Sequence, residues 1–126
     1  MNRTIRIVTE PLTVKARLNQ SHSAERIWEH LPFEGFANTW GDEIYFTIPV
    51  KTELEKGARD TMEAGELGYW PPGEALCIFF GPTPMSTGTE IRAASPVNPI
   101  GKIIGDPGVF KKVKRGTKVR IERGED

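Results

Sequence analysis

The stretch LGYWPPGEALCIFFG, residues 67–81, decides the fold of this chain. Its PPG at 71–73 is a strong turn signal, since proline presets the backbone angle and glycine tolerates a tight turn. The residues that follow, 75–80, are almost continuously apolar, which is typical of a strand buried on both faces. Because successive strand residues point to opposite faces, Phe79 and Phe80 are predicted to lie on opposite sides of a sheet.

Other short segments show the alternation of apolar and polar residues that is typical of strands. In residues 43–48, the apolar positions Ile44, Phe46 and Ile48 share one face. The polar segment 51–66 is predicted to be a loop with at most a short strand at its end. Further strands are predicted at 4–8, 13–18, 98–105, 109–112 and 117–122.

One segment has the spacing of an amphipathic helix. Within residues 21–31, one apolar stripe is formed by Ala24, Ile27, Trp28 and Leu31. Ser21 is a suitable N-cap, and Pro32 is expected to end the helix. The stripe predicts a helix that lies across a sheet or plugs the end of a barrel, with Trp28 as its anchor.

The composition indicates a soluble domain rich in turns. The chain has 126 residues, 37% of them hydrophobic and 27% charged, and we expect one domain over residues 1–126. Its 13 glycines and 10 prolines exclude long helical bundles and coiled coils. Seven or eight short strands and one helix predict a mainly β fold, either a closed β-barrel or a sandwich.

The charges balance overall but are unevenly placed. With 17 basic and 17 acidic residues, no general attraction to nucleic acid or to an anionic membrane is expected. Residues 25–90 carry a net charge of −8, whereas residues 1–24 and 91–126 carry +3 and +5, so the two ends are predicted to lie beside one another and to offset the acidic middle. No apolar run approaches the ~20 residues of a membrane span. The N-terminus lacks the apolar core of a signal peptide, so a cytoplasmic protein is expected.

Three features that could carry chemistry are predicted to be structural. Cys77 lies in an apolar run, where a single cysteine is expected to be a small buried core residue. His22 and His30 are eight residues apart, which is not the i, i+4 spacing of a helical metal pair. The basic residues of 111–123 have no phosphate-binding loop or stacking surface beside them and are expected to be solvated. No metal and no cofactor are expected.

Aromatic residues cluster around two predicted strands and one turn. Part of this group is predicted to line a groove: Trp40, Tyr45, Phe46, Tyr69, Trp70, Phe79 and Phe80. Tyrosine and tryptophan suit a half-wet site because an apolar body carries a polar group. Glu43 shares a face with Tyr45 in the same strand and is the acidic pocket candidate, whereas Asp42 is expected to support a turn.

Three stretches resemble the small prokaryotic cyclophilin-like proteins, also called atypical cyclophilins. They are WGDEIYF at 40–46, GYWPPGEALCIFFG at 68–81 and NPIGKIIG at 98–105. With the helix and the final strand, the resemblance covers nearly the whole chain. It implies a closed, compact cyclophilin-like β-barrel of about eight strands with a helix against it.

True cyclophilins isomerise X-Pro peptide bonds, whose rotation barrier is ~18–20 kcal/mol. Their catalytic arginine lies beside the prolyl nitrogen and belongs to a Phe-His-Arg strand motif. The comparable strand of this chain reads EIYF at 43–46 and holds no arginine. Arg59 is the only arginine between Arg26 and Arg92. It is therefore the one arginine of this region that could act as the catalytic arginine.

The sequence therefore predicts a cyclophilin-like protein that binds a small molecule or a proline-containing peptide in an aromatic-lined pocket. The pocket candidates are Glu43, Tyr45, Arg59, Tyr69, Trp70 and Phe80. The alternative is an active peptidyl-prolyl cis-trans isomerase, which is favoured by the resemblance and by the aromatic residues kept in strand 75–80. A purely structural or oligomeric partner domain is a third interpretation, and the oligomeric state stays open.

Overall fold

The structure, a computed structural model, describes residues 3–10 and 12–124. Over these residues it contains one α-helix, α1 (His22–His30), and ten β-strands. The strands are β1 (Arg3–Val8), β2 (Thr13–Leu18), β3 (Phe33–Phe36), β4 (Asn38–Thr39), β5 (Glu43–Thr47), β6 (Arg59–Met62), β7 (Glu66–Trp70), β8 (Ala75–Phe79), β9 (Ile91–Ile103) and β10 (Lys118–Arg123). Two short 3₁₀ helices lie at Pro71–Gly73 and Pro107–Lys112. The prediction of a mainly β fold with one helix is confirmed.

The strands pair antiparallel in the order β3-β10-β1-β2-β9-β7-β8-β5-β4, and β6 pairs β9 outside this path. The hydrogen-bonded path is open, with β3 and β4 at its ends, so the predicted closure into a barrel is not realised in the backbone pairing. Ala37 alone separates these two strands. Antiparallel neighbours need a turn of about two residues or more, so the two end strands cannot pair with each other.

The continuous segment that contains β3, Ala37 and β4 joins the two ends of the sheet, and side chains pack across this junction. The segment 33–39 pairs with β10 through its first half and with β5 through its second half. At this junction, which we call the seam, Gly35 faces Phe46. A Cβ atom on Gly35 would lie 2.6 Å from Phe46 Cδ2, so glycine is required for the close approach of β3 and β5.

The inner face of the sheet encloses the main hydrophobic core. Its fully buried strand residues include Ile5, Ile7, Ile44, Phe46, Leu67, Tyr69, Leu76, Ile78, Ile100 and Ile121. The alternation predicted for residues 43–48 is confirmed, because all three apolar positions join this core. Phe80 also lies here, with its ring centroid 6.1 Å from that of Phe110. Phe79 lies on the other face of the sheet, as predicted.

Helix α1 begins and ends where the sequence predicts. The Ser21 hydroxyl accepts a hydrogen bond from the Ala24 amide at 3.2 Å, which satisfies one of the free amides of the first turn. The helix ends at His30, two residues before Pro32. No described helix is long and apolar enough to cross a membrane.

The apolar stripe of α1 is only partly buried. Ala24 and Ile27 are fully buried in the main core. Trp28 and Leu31 are half-buried and pack at its edge. The Arg123 guanidinium lies 4.5 Å from the Trp28 ring centroid, so the tryptophan contacts both the core and a cation.

A buried polar network ties the segment 51–66 to the helix and to β9. Asn98 is fully buried. Its amide group donates to Ser23 Oγ and to the Glu53 carbonyl, each at 2.9 Å, and accepts from the Glu55 amide at 2.7 Å. The Glu55 carboxylate in turn accepts from the Ser23 amide at 2.9 Å. A carboxylate at a helix N-terminus is favourably placed for the helix dipole.

A second, smaller core lies on the outer face of the sheet. There β6 pairs with the first part of β9, and these two segments, 59–62 and 91–97, form a flap over β8. The core consists of Met62, Ala75, Cys77, Phe79, Ile91, Ala93 and Val97. The flap approaches β7 closely because Gly68 has no side chain: a Cβ atom there would lie 2.8 Å from Val97 Cγ2.

Two predicted strands differ from the structure. The pattern predicts a strand at 98–105, whereas β9 runs from Ile91 to Ile103. The pattern also predicts a strand at 109–112, but these residues belong to the 3₁₀ helix Pro107–Lys112. The Asp106 carboxylate accepts from the Gly108 amide at 2.9 Å and caps this helix, and proline at a first helical position has no amide to leave unpaired.

Candidate ligand pocket

A cavity of about 220 Å³ opens on the outer face of the sheet, beside the flap. It is lined by Trp40, Glu43, Tyr45, Trp70 and Ala94. Three of the lining side chains are aromatic and one is a carboxylic acid. Three of the six pocket candidates predicted from the sequence meet here: Glu43, Tyr45 and Trp70.

Strand β5 supplies two of the lining residues through its alternation. Because Ile44 and Phe46 point into the main core, Glu43 and Tyr45 point to the outer face. In the ladder with β8, Glu43 pairs with Phe79 and Tyr45 pairs with Cys77. The pocket side of β5 is therefore continuous with the second core.

The turn before β5 positions Trp40, another of the residues that line the cavity. The Trp40 amide donates to the Glu43 carbonyl at 3.0 Å, and Gly41 between them has φ +61°, a conformation that favours glycine. The Asp42 amide donates to the Pro82 carbonyl at 2.9 Å. A Cβ atom on Gly81 would clash with the Asp42 side chain. The backbone of Asp42 thus ties this turn to the segment after β8, and its side chain packs against Gly81.

Trp70, at the end of β7, is held from two sides. Its indole Nε1 donates to Ser95 Oγ in the flap at 2.7 Å. Its ring lies over Gly73 in the PPG turn, where a Cβ atom would come within 2.8 Å of the ring carbons. The turn that the sequence predicts thus makes room for this side chain, and the ring is ordered before any ligand arrives.

Glu43 is the unusual group of the pocket, because its side chain is nearly inaccessible and has no cation beside it. The residue is 5% exposed. Burial raises the pKa of its carboxyl from 4.5 to about 7, and a hydrogen bond with the Cys77 thiol offsets part of this shift. Among the described side chains, no basic group forms an ion pair with it.

Cys77 lies beneath this carboxyl and is 2% exposed. Burial, and then the charge and hydrogen bond of Glu43, raise the pKa of its thiol well above the ordinary value. A thiol needs its thiolate form to act as a nucleophile. Cys77 is therefore the buried structural cysteine that the sequence predicts.

The other three predicted pocket residues lie elsewhere. Tyr69 is fully buried on the inner face, and its hydroxyl donates to the Val50 carbonyl at 2.7 Å. Phe80 belongs to the main core. The Arg59 guanidinium is bidentate on the Glu66 carboxylate at 2.9 and 2.5 Å, and it does not line the cavity.

The flap residues Ala94 and Ser95 were not predicted from the sequence. They precede the predicted strand 98–105, in a run of small residues that carries no strand signal. Only the pairing of β6 with β9 brings them over the pocket. Ser95 then holds Trp70 through the bond described above.

A larger, more open groove of about 500 Å³ runs along β2 and β9. Its walls include Arg17, Glu66 and Lys102. The one buried acid there, Glu66, already has Arg59 as its partner. Within residues 3–10 and 12–124, no group of three or more histidine, cysteine or acidic side chains could hold a metal ion. The aromatic cavity is therefore the stronger candidate site.

The fold and the cavity together define a mainly β protein with a small aromatic pocket on the outer face of one antiparallel sheet. Residues 3–122 match the family model described as Cyclophilin-like. The chain therefore belongs to the cyclophilin-like family, as the sequence resemblance predicts.

A solved relative has the same fold over nearly its whole length. The solution structure of the hypothetical protein AF2241 from Archaeoglobus fulgidus is 39% identical in sequence, with a TM-score of 0.83. The match covers 98% of this chain and 95% of that one. No curated protein matches the chain.

Proposed function

We propose that this protein binds a small molecule, or one side chain of a proline-containing peptide, in the cavity formed by Trp40, Tyr45 and Trp70, with Glu43 as its polar anchor. The observation that carries the proposal is a buried carboxyl that faces a cavity with three aromatic walls and has no basic partner among the described side chains. A concave, mostly aromatic site with one placed polar group is the usual form of a ligand pocket.

The size of the cavity limits what can enter. Drug-sized ligands occupy pockets of about 300–1,000 Å³, and this cavity has about 220 Å³. It suits a ring, a side chain or a compact headgroup rather than a large cofactor. The rest of a longer ligand would lie on the surface outside the pocket.

Weak or absent prolyl isomerase activity belongs to the same proposal. Fixed donors aid amide rotation when they are preorganised in a site shielded from water. None of the described residues that line the cavity is an arginine. The guanidinium of Arg59 is occupied by Glu66. An ionised Glu43 has no proton to donate, so above its raised pKa of about 7 the pocket offers a prolyl nitrogen little help.

The binding proposal can be tested with the three tryptophans as reporters. We expect proline-containing peptides or small aromatic fragments to shift the indole N–H signals of Trp40 and Trp70 in NMR titrations. The signal of Trp28, beside the helix, should stay unchanged. The Trp70→Ala variant should lose binding, whereas Trp28→Ala should keep it. Shifts confined to Trp28, or no shifts with any ligand, would contradict the proposal.

A protease-free assay on an X-Pro peptide tests the isomerase alternative. We expect turnover that is absent or far below that of a true cyclophilin, and the same rate in the Arg59→Ala variant. Cyclophilin-like turnover in the wild type would support the alternative. Its loss in Arg59→Ala would identify the catalytic arginine.

A further inference from the structure

We infer that the group entering this pocket carries a positively charged nitrogen, such as a protonated or quaternary amine, which pairs with Glu43. The inference rests on the proposed function and names the class of ligand. It follows from a charge that the fold leaves uncompensated and from the aromatic walls around it.

Glu43 and Glu66 are the two buried glutamates of the described chain, at 5% and 8% exposed. Glu66 has the partner that a buried carboxylate requires: the Arg59 guanidinium binds it through two hydrogen bonds. Within the part of the chain that the structure describes, Glu43 has only the weak thiol donor of Cys77. A buried charge is expensive unless it is paired, so a cation for Glu43 would have to come from outside the chain.

The walls of the cavity favour a cation over an anion or a neutral polar group. Trp40, Tyr45 and Trp70 line it together. The faces of such rings carry negative potential, and aromatic cages are a recurrent way of binding quaternary ammonium groups. Both the aromatic rings and the carboxylate therefore attract a positively charged ligand.

The protonation of Glu43 couples to such binding. The titratable groups facing this carboxyl are the Cys77 thiol from β8 and, on its own strand, the Tyr45 phenol. The remaining lining residues, from the turn, β7 and the flap, do not titrate: Trp40, Trp70 and Ala94. Because the pKa of Glu43 is raised to about 7, a cation that needs the ionised form binds more tightly as the pH rises through this range.

The test compares choline with its uncharged isostere 3,3-dimethylbutan-1-ol, which differ in charge but hardly in shape. Binding is followed by the indole signals of Trp40 and Trp70. We expect choline to bind about tenfold or more tightly than the alcohol. The preference should disappear in Glu43→Gln and persist in the control Glu34→Gln, which removes an exposed carboxylate elsewhere. The affinity of the wild type for choline should rise between about pH 6 and pH 8, and that of Glu43→Gln should not.

The outcomes separate this inference from the proposed function. If the alcohol or other uncharged ligands bind as tightly as choline, or if Glu43→Gln keeps the preference, the inference is wrong while the pocket remains a binding site. If neither choline nor any uncharged ligand shifts Trp40 and Trp70, both proposals are contradicted. A charge preference that depends on Glu43 supports both.

Discussion

Glu43 should make the stability of the fold depend on pH. Its pKa is raised by burial to about 7, against 4.5 for an ordinary glutamate. Between these values the unfolded chain loses its proton first, so rising pH favours unfolding. The penalty is absent below about pH 4 and reaches about 3 kcal/mol above about pH 8.

Denaturant unfolding at several pH values would measure this penalty. We expect the wild type to lose stability relative to Glu43→Gln as the pH rises from about 4 to 8. The wild type should show no such loss of stability relative to Glu34→Gln, which alters an exposed carboxylate. A constant difference between wild type and Glu43→Gln across this range would mean that Glu43 ionises freely in the folded state.

The Cys77 thiol should be inert in the native protein. It is 2% exposed, and burial raises its pKa well above the ordinary value, so neither access nor the thiolate form is available. A thiol reagent at about pH 8 should label the protein only after denaturant is added. Rapid stoichiometric labelling of the folded chain would show that the second core opens readily.

The alternation of residues in a strand predicts which side chains share a face of the sheet. It does not always predict which of the two faces is packed against the main core. In residues 43–48 it correctly placed Glu43 and Tyr45 on the face opposite Ile44, because the apolar residues of this segment all fall on one face. Tyr69 and Trp70 gave no such contrast, since both are aromatic. Long-range pairing decides: Tyr69 reaches the Val50 carbonyl inside the sheet, while Trp70 meets the flap outside it.

At the scale of elements, the Asn98 network should hold the 51–66 segment on the helix. Replacing Asn98 with alanine leaves the Glu53 carbonyl and the Glu55 amide without their partners. We expect Asn98→Ala to lower the free energy of unfolding by about 3 kcal/mol. The control Asn19→Ala removes hydrogen bonds of an exposed asparagine and should cost about 1 kcal/mol or less.

Denaturant unfolding of both variants checks this prediction. Hydrogen exchange adds a readout, because amides in 51–58 should lose protection in Asn98→Ala and keep it in Asn19→Ala. Equal losses of stability in the two variants would mean that the buried network contributes no more than an exposed one.

The elements that differ from the prediction fall into two kinds: one depends on a distant partner, and the other on local signals that a strand interpretation overlooked. The helix was predictable because its cap, stripe and terminating proline are all local. Residues 91–97 contain small side chains and Pro96, and they become a strand only by pairing with β6. Residues 109–112 were predicted as a short strand, but the Asp106 cap and Pro107, both local signals, favour a 3₁₀ helix instead.

At the scale of the whole molecule, the seam should depend on the absence of a side chain at Gly35. A methyl group there would lie 2.6 Å from Phe46 Cδ2, so Phe46 or β3 would have to move. We expect Gly35→Ala to destabilise the protein by about 1–3 kcal/mol, as overpacking does. The matched control is Gly57→Ala, where a Cβ atom has no neighbour within 4 Å; it should change stability little.

Thermal and denaturant unfolding of the two glycine variants would measure these changes in stability. A neutral Gly35→Ala substitution would mean that the two ends of the sheet are not tightly packed. The open path itself could not be predicted from the sequence, because the strand pattern left a closed barrel and a sandwich as alternatives and the family resemblance implied a closed barrel. In this path, β3 pairs with β10 and β4 pairs with β5, on either side of Ala37.

The charge distribution was informative at this scale. The basic chain end lies against the acidic middle, with Lys102 3.1 Å from Glu63 and Arg120 3.5 Å from Glu34. These exposed pairs each contribute little to stability. The uneven distribution of charge along the sequence was still useful, because it indicated which parts of the chain lie side by side.

The proposal that the pocket between the flap and β5 is a ligand site can be tested with crystals soaked in small amines and aromatic fragments. We expect bound molecules between Trp40, Tyr45 and Trp70, with amines within hydrogen-bond distance of the Glu43 carboxyl. Soaked crystals of Glu43→Gln should lose the amines and keep uncharged aromatic fragments. Fragments that bind only elsewhere on the surface, with the aromatic cavity empty in every soak, would contradict the claim.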